Sequence, residues 1–525
     1  MKIKKAIQAA LALGLTHSAV AGVISDDQLN NIWYTDAQTS ISEKQAQKTI
    51  KNAKNIIVFI GDGMGISTLT AARILDGQNK ENSGEEGLLS FEKFPRTALV
   101  KTYNVDAQTP DSAGTMTAMM SGLKTDMGVL GVAEGVVRGE CESMENNEVT
   151  TALELAEIKG LSTGIVTTAR ITHATPAATY AKSPERNWED ISDMPDDAIE
   201  YGCKDIAAQL VNFESNLESR YNVEIDGIEV VMGGGRRHFL PNDASANSAD
   251  ASSAIEGDRT DGENLIEEWQ SIYSEGVYVM DQSGFDAIDT ETTKHLLGLF
   301  NESHMHYEAD RHNDISGEPS LTEMTETAIK ILDNNDNGYF LVVEAGRIDH
   351  AHHAGNAYNA LMDTIELSNA VQAALDLTND EETLIIVTAD HGHVFTIAGY
   401  PKRGNPILGK VIAVDETQAS LAEDGMPYTT LGYSNGRGFS DLGNETDADL
   451  GYDEAISVGR NDLSGVDTET SGFHQEATVP MTAETHSGED ITIHANGPGS
   501  YLVQGVMEQS ALFHIIDKTL NLTAE

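Results

Sequence analysis

Acidic and imidazole side chains stand shortly after three apolar runs of the chain, where they could act together on one ligand. Asp62, Glu344 and the pair Asp390 and His391 each follow a short β-branched run. In an open parallel sheet, the carboxyl ends of the strands line the ligand crevice. We therefore expect three carboxylates and one imidazole to meet there, although a single Asp after a strand more often caps a turn or a helix.

A second group of possible metal ligands stands at helical spacing. If a helix begins near residue 347, Asp349 and His353 lie at i and i+4 on one face. Zinc accepts carboxylate oxygen and imidazole nitrogen together, and His352 at i+3 competes for the same role. Ordinary surface histidines are the alternative interpretation. The later segment 484–488, with Glu484 and His486, supplies further candidate ligands.

A serine stands at the start of another predicted helix. Ser112 follows Asp111 and precedes the small-residue run 113–118. A hydroxyl at a helix N-terminus lies in a positive potential, and a nearby divalent ion would lower its pKa further. Ser112 is therefore a candidate nucleophile, with a helix cap as the alternative. The chain has no G-x-S-x-G elbow, which disfavours a Ser-His-Asp hydrolase.

Residues 333–344 match the calcium-loop pattern D-x-N-x-N-G-x5-E. The second half of this match, however, is an apolar run typical of a buried strand. We therefore predict a turn over 334–338. The competing hypothesis is an acidic, calcium-binding extracellular interaction protein, with 333–344 and the acidic run 441–470 as its sites.

The elements that must position these residues are short continuous apolar runs, typical of strands buried on both faces. Helical spacing of Leu367, Val371, Ala374 and Leu375 predicts a helix between two of them. The predicted fold is α/β, a three-layer sandwich with a mainly parallel central sheet covered by helices. The predicted strands lie at residues 55–60, 163–167, 228–232, 339–343 and 383–387.

Two stretches interrupt the α/β pattern. Residues 242–262 are rich in Ser, Asp and Ala and predict a solvated loop. Residues 396–480 are rich in Gly, Thr and Asp, too long for an ordinary connection, and predict an inserted subdomain. The predicted domains are a signal peptide (1–21), a core (22–395), the acidic insertion (396–480) and a return to the core (481–525).

The chain of 525 residues carries 33 Lys and Arg against 84 Asp and Glu, a formal net charge of −51. This charge excludes electrostatic binding to nucleic acid or an anionic membrane as a main function. A carboxylate-rich surface repels itself at low ionic strength, and molar salt screens that repulsion. We therefore predict a halophilic surface that molar salt stabilises.

The N-terminus and the two cysteines predict an exported protein. A basic start, an apolar run and the segment Ser18-Ala19-Val20-Ala21 are typical of a signal peptide, which predicts a periplasmic or secreted location. No later run has the ~18 apolar residues of a membrane span. Cys141 and Cys203 form one disulfide in an oxidising compartment or remain two reduced, buried thiols, and we favour the disulfide.

Seven motifs in register resemble the alkaline phosphatase family over roughly residues 55–515, excluding the inserts. The spacing of Cys141 and Cys203 also resembles a disulfide of the animal members. The matching motifs are 60–65 (IGDGMG), 111–115 (DSAGT), 173–176 (HATP), 232–236 (MGGGR), 343–353 (VEAGRIDHAHH), 388–392 (TADHG) and 485–490 (THSGED).

The resemblance implies two zinc ions and one magnesium ion per chain. It implies a reaction through a phosphoserine on Ser112, with Arg186 binding the phosphate and Asp111 in a supporting role. The implied ligand sets are Asp349, His353 and His486 for one zinc, Asp62, Asp390 and His391 for the other, and Asp62, Thr175 and Glu344 for magnesium.

The implied activity is hydrolysis of small phosphate monoesters at alkaline pH, without specificity for the alcohol, with inorganic phosphate as product and inhibitor. His173 and His350 replace the aspartate and lysine of the enteric bacterial enzymes and resemble the animal branch. These two departures concern the water shell and the affinity of the magnesium ion, and any lysine-mediated water contact to phosphate. The insertion corresponds to the family's crown region, which implies a homodimer.

Phosphodiesterase or sulfatase activity is the alternative, although the sequence has no sulfatase signature and Arg186 favours monoesters.

Overall fold

The structure is a computed structural model that describes residues 23–45, 52–438 and 459–523. The predicted signal peptide (1–21) and residues 441–458 of the acidic run lie outside these described residues. No helix in the described ranges is both long enough and apolar enough to cross a bilayer.

A ten-stranded sheet forms the centre of the molecule, in the order β15-β2-β14-β8-β1-β7-β3-β4-β6-β5. The seven strands from β8 to β5 pair in parallel, and β14 runs antiparallel to both of its neighbours. Five runs predicted to be strands lie in this parallel part, which confirms the mainly parallel α/β sheet. The strands of the described residues are β1 (Asn55–Gly61), β2 (Arg96–Lys101), β3 (Ser162–Arg170), β4 (Val230–Gly234), β5 (Val277–Val279), β6 (Leu296–Leu299), β7 (Tyr339–Ala345), β8 (Thr383–Ala389), β9 (Gly392–His393), β10 (Phe395–Ile397), β11 (Leu431–Gly436), β12 (Ala477–Pro480), β13 (His486–Ser487), β14 (Ile491–Asn496) and β15 (Val506–Glu508).

Helices cover both faces of this sheet. One set comprises α3, α12, α13 and α14, and a second set comprises α4, α5 and α15. The predicted helical spacing over 367–375 falls in α14, where Leu367, Val371 and Ala374 are buried. The α-helices of the described residues are α1 (Asp26–Asn30), α2 (Ile32–Gln45), α3 (Ile66–Asn79), α4 (Ser112–Ser121), α5 (Ala152–Ile158), α6 (Ala174–Ala177), α7 (Asp196–Tyr201), α8 (Ile206–Val211), α9 (Phe213–Tyr221), α10 (Leu265–Ile272), α11 (Gln282–Asp286), α12 (Leu321–Leu332), α13 (Arg347–His353), α14 (Ala357–Leu377) and α15 (Ala511–Leu520).

The register of the central strands brings their carboxyl ends to one level. Ile60 of β1 pairs with Glu344 of β7, and Gly61 pairs with Ala389 of β8. Every residue of these three strands is buried, because apolar side chains alternate between two helix-covered faces. The polar residues that follow the strands therefore reach the same edge of the sheet.

The insertion after β8 forms its own small sheet of β10, β11 and β12. The segment before β12 returns to the core, where Asn356 donates its side-chain N–H to Ser471 and Gln475 accepts from the backbone of Ala357. Phe473 in this segment is buried. The region is thus folded on a sheet separate from the main one, while its role as a subdomain between 396 and 480 stays a prediction.

Three smaller predictions have clear outcomes. Cys141 and Cys203 form a disulfide, with their Cα atoms 6.1 Å apart, so the disulfide prediction is confirmed. The turn predicted before β7 is also present, and Glu344 is a buried strand residue rather than the end of a calcium loop. This geometry removes 333–344 as a calcium site.

The solvated loop predicted over 242–262 is only partly correct. Most of its residues are exposed or half-buried, but Glu256 and Arg259 are buried. Asp250 and Glu256 pair with the buried Arg236, at 2.8 and 2.5 Å. The composition of the loop predicted solvation because it does not reveal that an arginine elsewhere in the chain needs carboxylate partners.

Candidate active site

Asp62 and Asp390 lie together at the carboxyl edge of the sheet, and both are fully buried. The turn after β1 gives this contact, because Gly63 donates its backbone N–H to Asp390 Oδ1 at 2.9 Å. Gly63 has a φ of +70°, and a Cβ here would lie 2.4 Å from the His393 ring, so the turn requires glycine. Burial and the neighbouring Asp390 raise the pKa of Asp62 well above its usual range. Two buried carboxylates in contact are stable as anions only beside a positive charge.

Asp349, His353 and His486 meet a short distance away. Helix α13 places Asp349 and His353 on one face, with His353 Nε2 3.4 Å from Asp349 Oδ1. His486 Nε2 lies 3.0 Å from His353 Nε2 and 3.3 Å from Asp349 Oδ1. His352, the competing candidate on α13, instead contacts Thr68 and the hydroxyl of Tyr433. The helix therefore presents His353, and not His352, to this group.

Charge balance differs between the members of this second group. Burial opposes ionisation of Asp349, but His353 and His393 hold the pKa of its carboxyl well below the usual range. Burial lowers the pKa of His353 to about 4, with the rings of His393 and His486 adding to the effect. An ionised Asp349 beside a neutral His353 is the protonation state that a zinc ligand pair requires.

A third group contains Asp62, Thr175 and Glu344. Thr175 Oγ1 lies 3.4 Å from Asp62 Oδ2, and Thr167 donates its hydroxyl to Glu344 Oε2. Burial raises the pKa of Glu344 to about 7, and the charge of Asp390 adds to this shift. Oxygen atoms supplied by two carboxylates and a hydroxyl are the ligand type that magnesium accepts.

Ser112 is the first residue of α4 and faces the Asp62–Asp390 pair. Its Oγ lies 3.1 Å from His391 Nε2 and 3.5 Å from both carboxylate oxygens of Asp62. The N-cap of the helix is Asp111, which accepts the backbone N–H of Gly114 at 3.1 Å. Because Asp111 caps the helix, the hydroxyl of Ser112 is directed into the pocket instead of to its own backbone.

The Asp111 carboxylate also holds Arg186. One oxygen accepts from Gly114 and from the Asn104 side chain, and the other accepts from the backbone of Gly128 and from Arg186 Nη1 at 3.1 Å. Four donors therefore saturate the carboxylate of Asp111. Arg186 Nη1 donates to Asp111 and Nη2 lies 3.2 Å from His173 Nε2, so the N–H groups beyond these two contacts are available to an anion.

Three imidazoles, His173, His304 and His350, pack against one another behind Arg186. Their ring centroids lie 4.0 to 5.5 Å apart, and His173 Nε2 lies 3.2 Å from Arg186 Nη2. Burial lowers the pKa of His173 to about 3, and Arg186 and Arg170 add to the effect. His304 was not predicted, since it lies on a loop after β6 with no motif around it.

Sequence reasoning missed His393, whereas Glu484 stood in the segment 484–488 that offered candidate ligands. His393 Nε2 lies 2.7 Å from Asp349 Oδ1, and its Nδ1 lies 2.5 Å from Glu484 Oε2. Although burial opposes protonation, Glu484 and Asp349 raise the pKa of His393 to about 10. The available signal was the alternation of His391 and His393 across the Asp-His-Gly-His segment, which places both rings near one edge of the sheet.

The donor set fits the divalent ions that the sequence implies. Asp390 Oδ2, Glu344 Oε1 and His391 Nδ1 are buried without a hydrogen-bond partner. Asp62, Glu344, Asp349 and Asp390 bring four buried carboxyl groups into one pocket, where His393 is an imidazole with a raised pKa, so divalent ions would complete the charge balance. Groups of possible metal ligands within 4.8 Å of one another include Asp62 with Asp390 and His391, and Asp349 with His391, His393 and His486.

Comparison with known proteins places the chain among enzymes of one kind. The family model described as alkaline phosphatase matches residues 53–522. The chain is 42% identical to the tissue-nonspecific alkaline phosphatase of Felis catus over 486 residues, covering 90% of this chain and 86% of that one. It is 40% identical to the tissue-nonspecific isozyme of Homo sapiens, covering 96% and 91% of the two chains. It is 39% identical to the alkaline phosphatase of Gadus morhua, covering 94% and 98%.

Solved structures share the fold at lower sequence identity. The alkaline phosphatase of Thermus thermophilus aligns with 98% of this chain and 96% of its own, with a TM-score of 0.61 and 22% identity. The enzyme of the Antarctic bacterium TAB5 aligns with 90% of this chain and 99% of its own, with a TM-score of 0.56. Sequence motifs, fold and relatives agree, and the chain belongs to the alkaline phosphatase family.

Proposed function

We propose that the chain hydrolyses phosphate monoesters through a phosphoserine formed on Ser112. The observation that carries this proposal is the position of the Ser112 hydroxyl, at a helix N-terminus and 3.1 Å from His391 Nε2, next to Asp111, which holds Arg186. A nucleophile, a group of anionic and imidazole ligands and a phosphate-binding guanidinium are then present in one site.

The ligand sets assigned to the ions rest on the three groups described above. Asp349, His353 and His486 would hold one zinc, and Asp62, Asp390 and His391 would hold the second. Asp62, Thr175 and Glu344 would hold magnesium. When bound, these ions lower the pKa of hydroxyl groups and stabilise the negative charge of a phosphoryl group during an in-line displacement.

The residues of the chain account for the steps of the reaction. Ser112 Oγ loses its proton to solvent and attacks phosphorus, the ester P–O bond breaks, and the leaving oxygen takes a proton from solvent to become the alcohol. Water then attacks the phosphoserine, which releases inorganic phosphate and restores Ser112. Arg186 donates N–H groups to the non-bridging oxygens throughout. Because these contacts reach the phosphoryl group and not the alcohol, the reaction is non-specific for the alcohol and inorganic phosphate competes for the site.

Ionisation of Ser112 sets the expected pH dependence. An attacking serine must be an alkoxide, and the hydrolytic water must lose a proton, so activity increases toward alkaline pH. Higher pH also favours the ion-loaded state of the pocket, because the carboxylate and imidazole ligands must be deprotonated to bind an ion.

The surface of the insertion supports a homodimer. Exposed apolar side chains concentrate on it, and Tyr400 has 89% of its surface exposed. Apolar and aromatic side chains of this kind are typical of interfaces. We expect the deletion of residues 400–480 to convert a dimer to a monomer in light scattering, and an unchanged dimer would contradict this role. The other exposed apolar residues on the insertion are Ile397, Val414, Leu421 and Val479.

An exported, salt-tolerant enzyme agrees with the chain's remaining features. The disulfide of Cys141 and Cys203 is typical of a periplasmic or secreted protein. The net charge of −51 supports a halophilic surface. Thermal unfolding in 0.1 and 3 M NaCl tests the second point, and we expect the higher salt to raise the unfolding temperature.

Acid quenching during turnover tests the mechanism. The purified enzyme is mixed with an aryl phosphate, quenched, digested and searched for phosphopeptides by mass spectrometry. We expect phosphate on Ser112 and a fall in kcat of roughly 10³-fold or more for Ser112→Ala. Ser215→Ala, an exposed serine on α9, is the matched control. An active Ser112→Ala enzyme, or phosphate on another residue, would refute the phosphoserine step.

A further inference from the structure

Strand β11 of the insertion places two polar side chains against the core of the molecule. Side chains two residues apart on a strand project to the same side. The Tyr433 hydroxyl lies 2.8 Å from Nδ1 of His352 on α13, and the side chain of Asn435 contacts Thr485. Ser434, between them, projects to the other side and is exposed. The insertion thus contacts both α13 and the segment around residue 485, which would supply the ligands of the first zinc group.

Asn435 makes two hydrogen bonds to Thr485 through one side-chain amide. Its Oδ1 accepts the backbone N–H of Thr485 at 3.1 Å, and its Nδ2 donates to Thr485 Oγ1 at 2.9 Å. The Thr485 hydroxyl in turn donates to the carbonyl oxygen of His486 at 3.3 Å. Because the amide is held at both its acceptor and its donor, it fixes the Thr485 backbone relative to β11.

The backbone at Thr485 also reaches a histidine of the first zinc group. The peptide group that joins Glu484 to Thr485 is planar, so its N–H and its C=O turn together. Asn435 holds the N–H of this peptide, and the carbonyl oxygen lies 2.7 Å from Nδ1 of His353. The orientation of His353 therefore depends on a side chain of the insertion.

Backbone carbonyls determine which ring nitrogen is left for an ion in both histidines of the group. His486 Nδ1 lies 2.8 Å from the carbonyl oxygen of Pro110, as His353 Nδ1 lies near that of Glu484. A carbonyl oxygen only accepts, so Nδ1 is the donor in each ring. The two Nε2 atoms are then free to bind an ion, and they lie 3.0 Å apart. Such contacts to the second nitrogen orient a histidine ligand and raise metal affinity.

We propose that Asn435 is a positioning residue of the first zinc group, through which the insertion sets the zinc affinity. Asn435 fixes the peptide group before Thr485, and this peptide orients His353 and leads directly into His486. The inference rests on the proposed function, in which these two histidines and Asp349 hold a zinc ion. A purely structural role of Asn435 would change the stability of the fold but would not weaken one of the two zinc ions selectively.

Zinc competition on the metal-loaded, full-length enzyme tests the proposal. The protein is titrated with a chromogenic chelator, and zinc per chain is measured by elemental analysis. In Asn435→Ala, we expect one of the two zinc ions to bind roughly 10- to 100-fold more weakly. Ser434→Ala, on the exposed side of the same strand, is the matched control and should bind zinc as the wild type does. Wild-type zinc affinity in Asn435→Ala, or equal weakening of both ions, would overturn the proposal.

Cobalt substitution and a double variant separate positioning from stability. The visible absorption of bound cobalt(II) depends on ligand geometry, so Asn435→Ala should change the spectrum of the cobalt-substituted enzyme and Ser434→Ala should not. Thr485→Val removes the hydroxyl contacts alone. Combined with Asn435→Ala, its effect on zinc affinity should be smaller than the sum of the two single losses, because both changes act through one residue. An unchanged cobalt spectrum, or additive losses, would overturn the proposal.

These measurements use no substrate, so they separate this inference from the phosphatase reaction. A wild-type enzyme that binds no zinc would overturn the proposed function together with the role of Asn435. Two zinc ions in the wild type, bound equally well by Asn435→Ala, would overturn the role of Asn435 alone.

Discussion

Both edges of the parallel sheet bury carboxyl groups, but with different partners. At the carboxyl edge, Asp62 and Asp390 lie among imidazoles and beside Ser112. At the amino edge, Glu157 and Glu229 flank Thr163, which donates its hydroxyl to Glu157 and its backbone N–H to Glu229 Oε2 at 2.6 Å.

Protons balance charge at the amino edge. Burial raises the pKa of Glu229 to about 8, and burial with the charge of Glu229 raises the pKa of Glu157 well above its usual range. A carboxyl that keeps its proton serves the fold but binds no cation. Burial also raises the pKa values of Asp62 and Glu344 at the carboxyl edge, but these carboxyl groups lie beside imidazoles and a serine, and we expect divalent ions to supply the balancing charge there. The comparison shows that burial alone does not make a functional carboxylate; its neighbours do.

Removal of divalent ions should have the largest effect, because it acts on the carboxyl edge and not on the amino edge. Removing divalent ions with EDTA leaves the carboxyl edge without its balancing charge, and we expect activity to fall on the order of 10³-fold. The unfolding temperature should fall as well, because ligands bound only to the folded state stabilise it. Activity on an aryl phosphate and thermal unfolding are the measurements.

Reconstitution is the control for chelation. Zinc with magnesium should restore activity, whereas calcium alone should not. Retention of more than about a tenth of the activity after complete metal removal, checked by elemental analysis, would contradict the role given to the ions.

Arg186→Lys should have the next largest effect. Lysine keeps the charge but not the planar set of donors, so kcat/KM should fall about a hundredfold and the inhibition constant of phosphate should rise. Arg138→Lys is the matched control, because Arg138 forms a bidentate pair with Glu185 near the surface, at 2.7 and 2.8 Å. Equal losses in the two variants would argue against phosphate binding by Arg186.

Glu484→Gln tests the support of the first zinc group. The change weakens the contact to His393, which in turn holds Asp349. We expect zinc affinity to fall 10- to 100-fold, measured by competition with a chelator and elemental analysis, since such supporting contacts have effects on the order of that size. Glu476→Gln, at a surface pair with Arg460, is the control. Unchanged zinc affinity in Glu484→Gln would show that His393 does not orient Asp349.

Glu229→Gln should leave activity unchanged and alter stability with pH. The folded state holds a proton on Glu229 up to a pKa of about 8, whereas an unfolded glutamate loses it near pH 4.5. The free energy of unfolding therefore decreases as pH rises through this window, by on the order of a few kcal/mol from this group. Urea unfolding at pH 5 and at pH 9 measures this decrease. The difference in the free energy of unfolding between the two pH values should be smaller in Glu229→Gln than in the wild type, and it should be unchanged in Glu291→Gln, a substitution of an exposed glutamate. Equal stability of the wild-type enzyme at both pH values would contradict the protonation of Glu229 in the folded state.

The sequence predicted the edge of the sheet that carries the site, because each motif follows an apolar strand and parallel strands end together. Asp62, Glu344 and Asp390 could be predicted in this way, and spacing on a helix predicted Asp349 and His353. Ser112 was a candidate nucleophile from its position at a helix start, with a cap as the alternative, whereas Arg186 needed the family resemblance, since one arginine has many ordinary roles. Family membership and the α/β fold are confirmed, while the roles of the site residues stay predictions.

Contacts made by side chains far apart in sequence could not be predicted. Glu484 reaches His393 from 91 residues away, and His304 reaches His173 from a loop with no motif. The buried pairs of Arg236 were missed for the same reason, because composition records how many charges a loop has but not which ones meet. Such contacts depend on the completed packing of helices around the sheet, which local periodicity does not encode.

Asp111 has a consequence for how the enzyme can change over evolution. One carboxylate caps the helix that begins with Ser112 and also anchors Arg186. A substitution at residue 111 would thus displace the attacking group and the anion-binding group in a single mutational step. Adaptation to new esters should proceed through residues at the pocket mouth, leaving position 111 among the slowest to diverge between descendants of this chain.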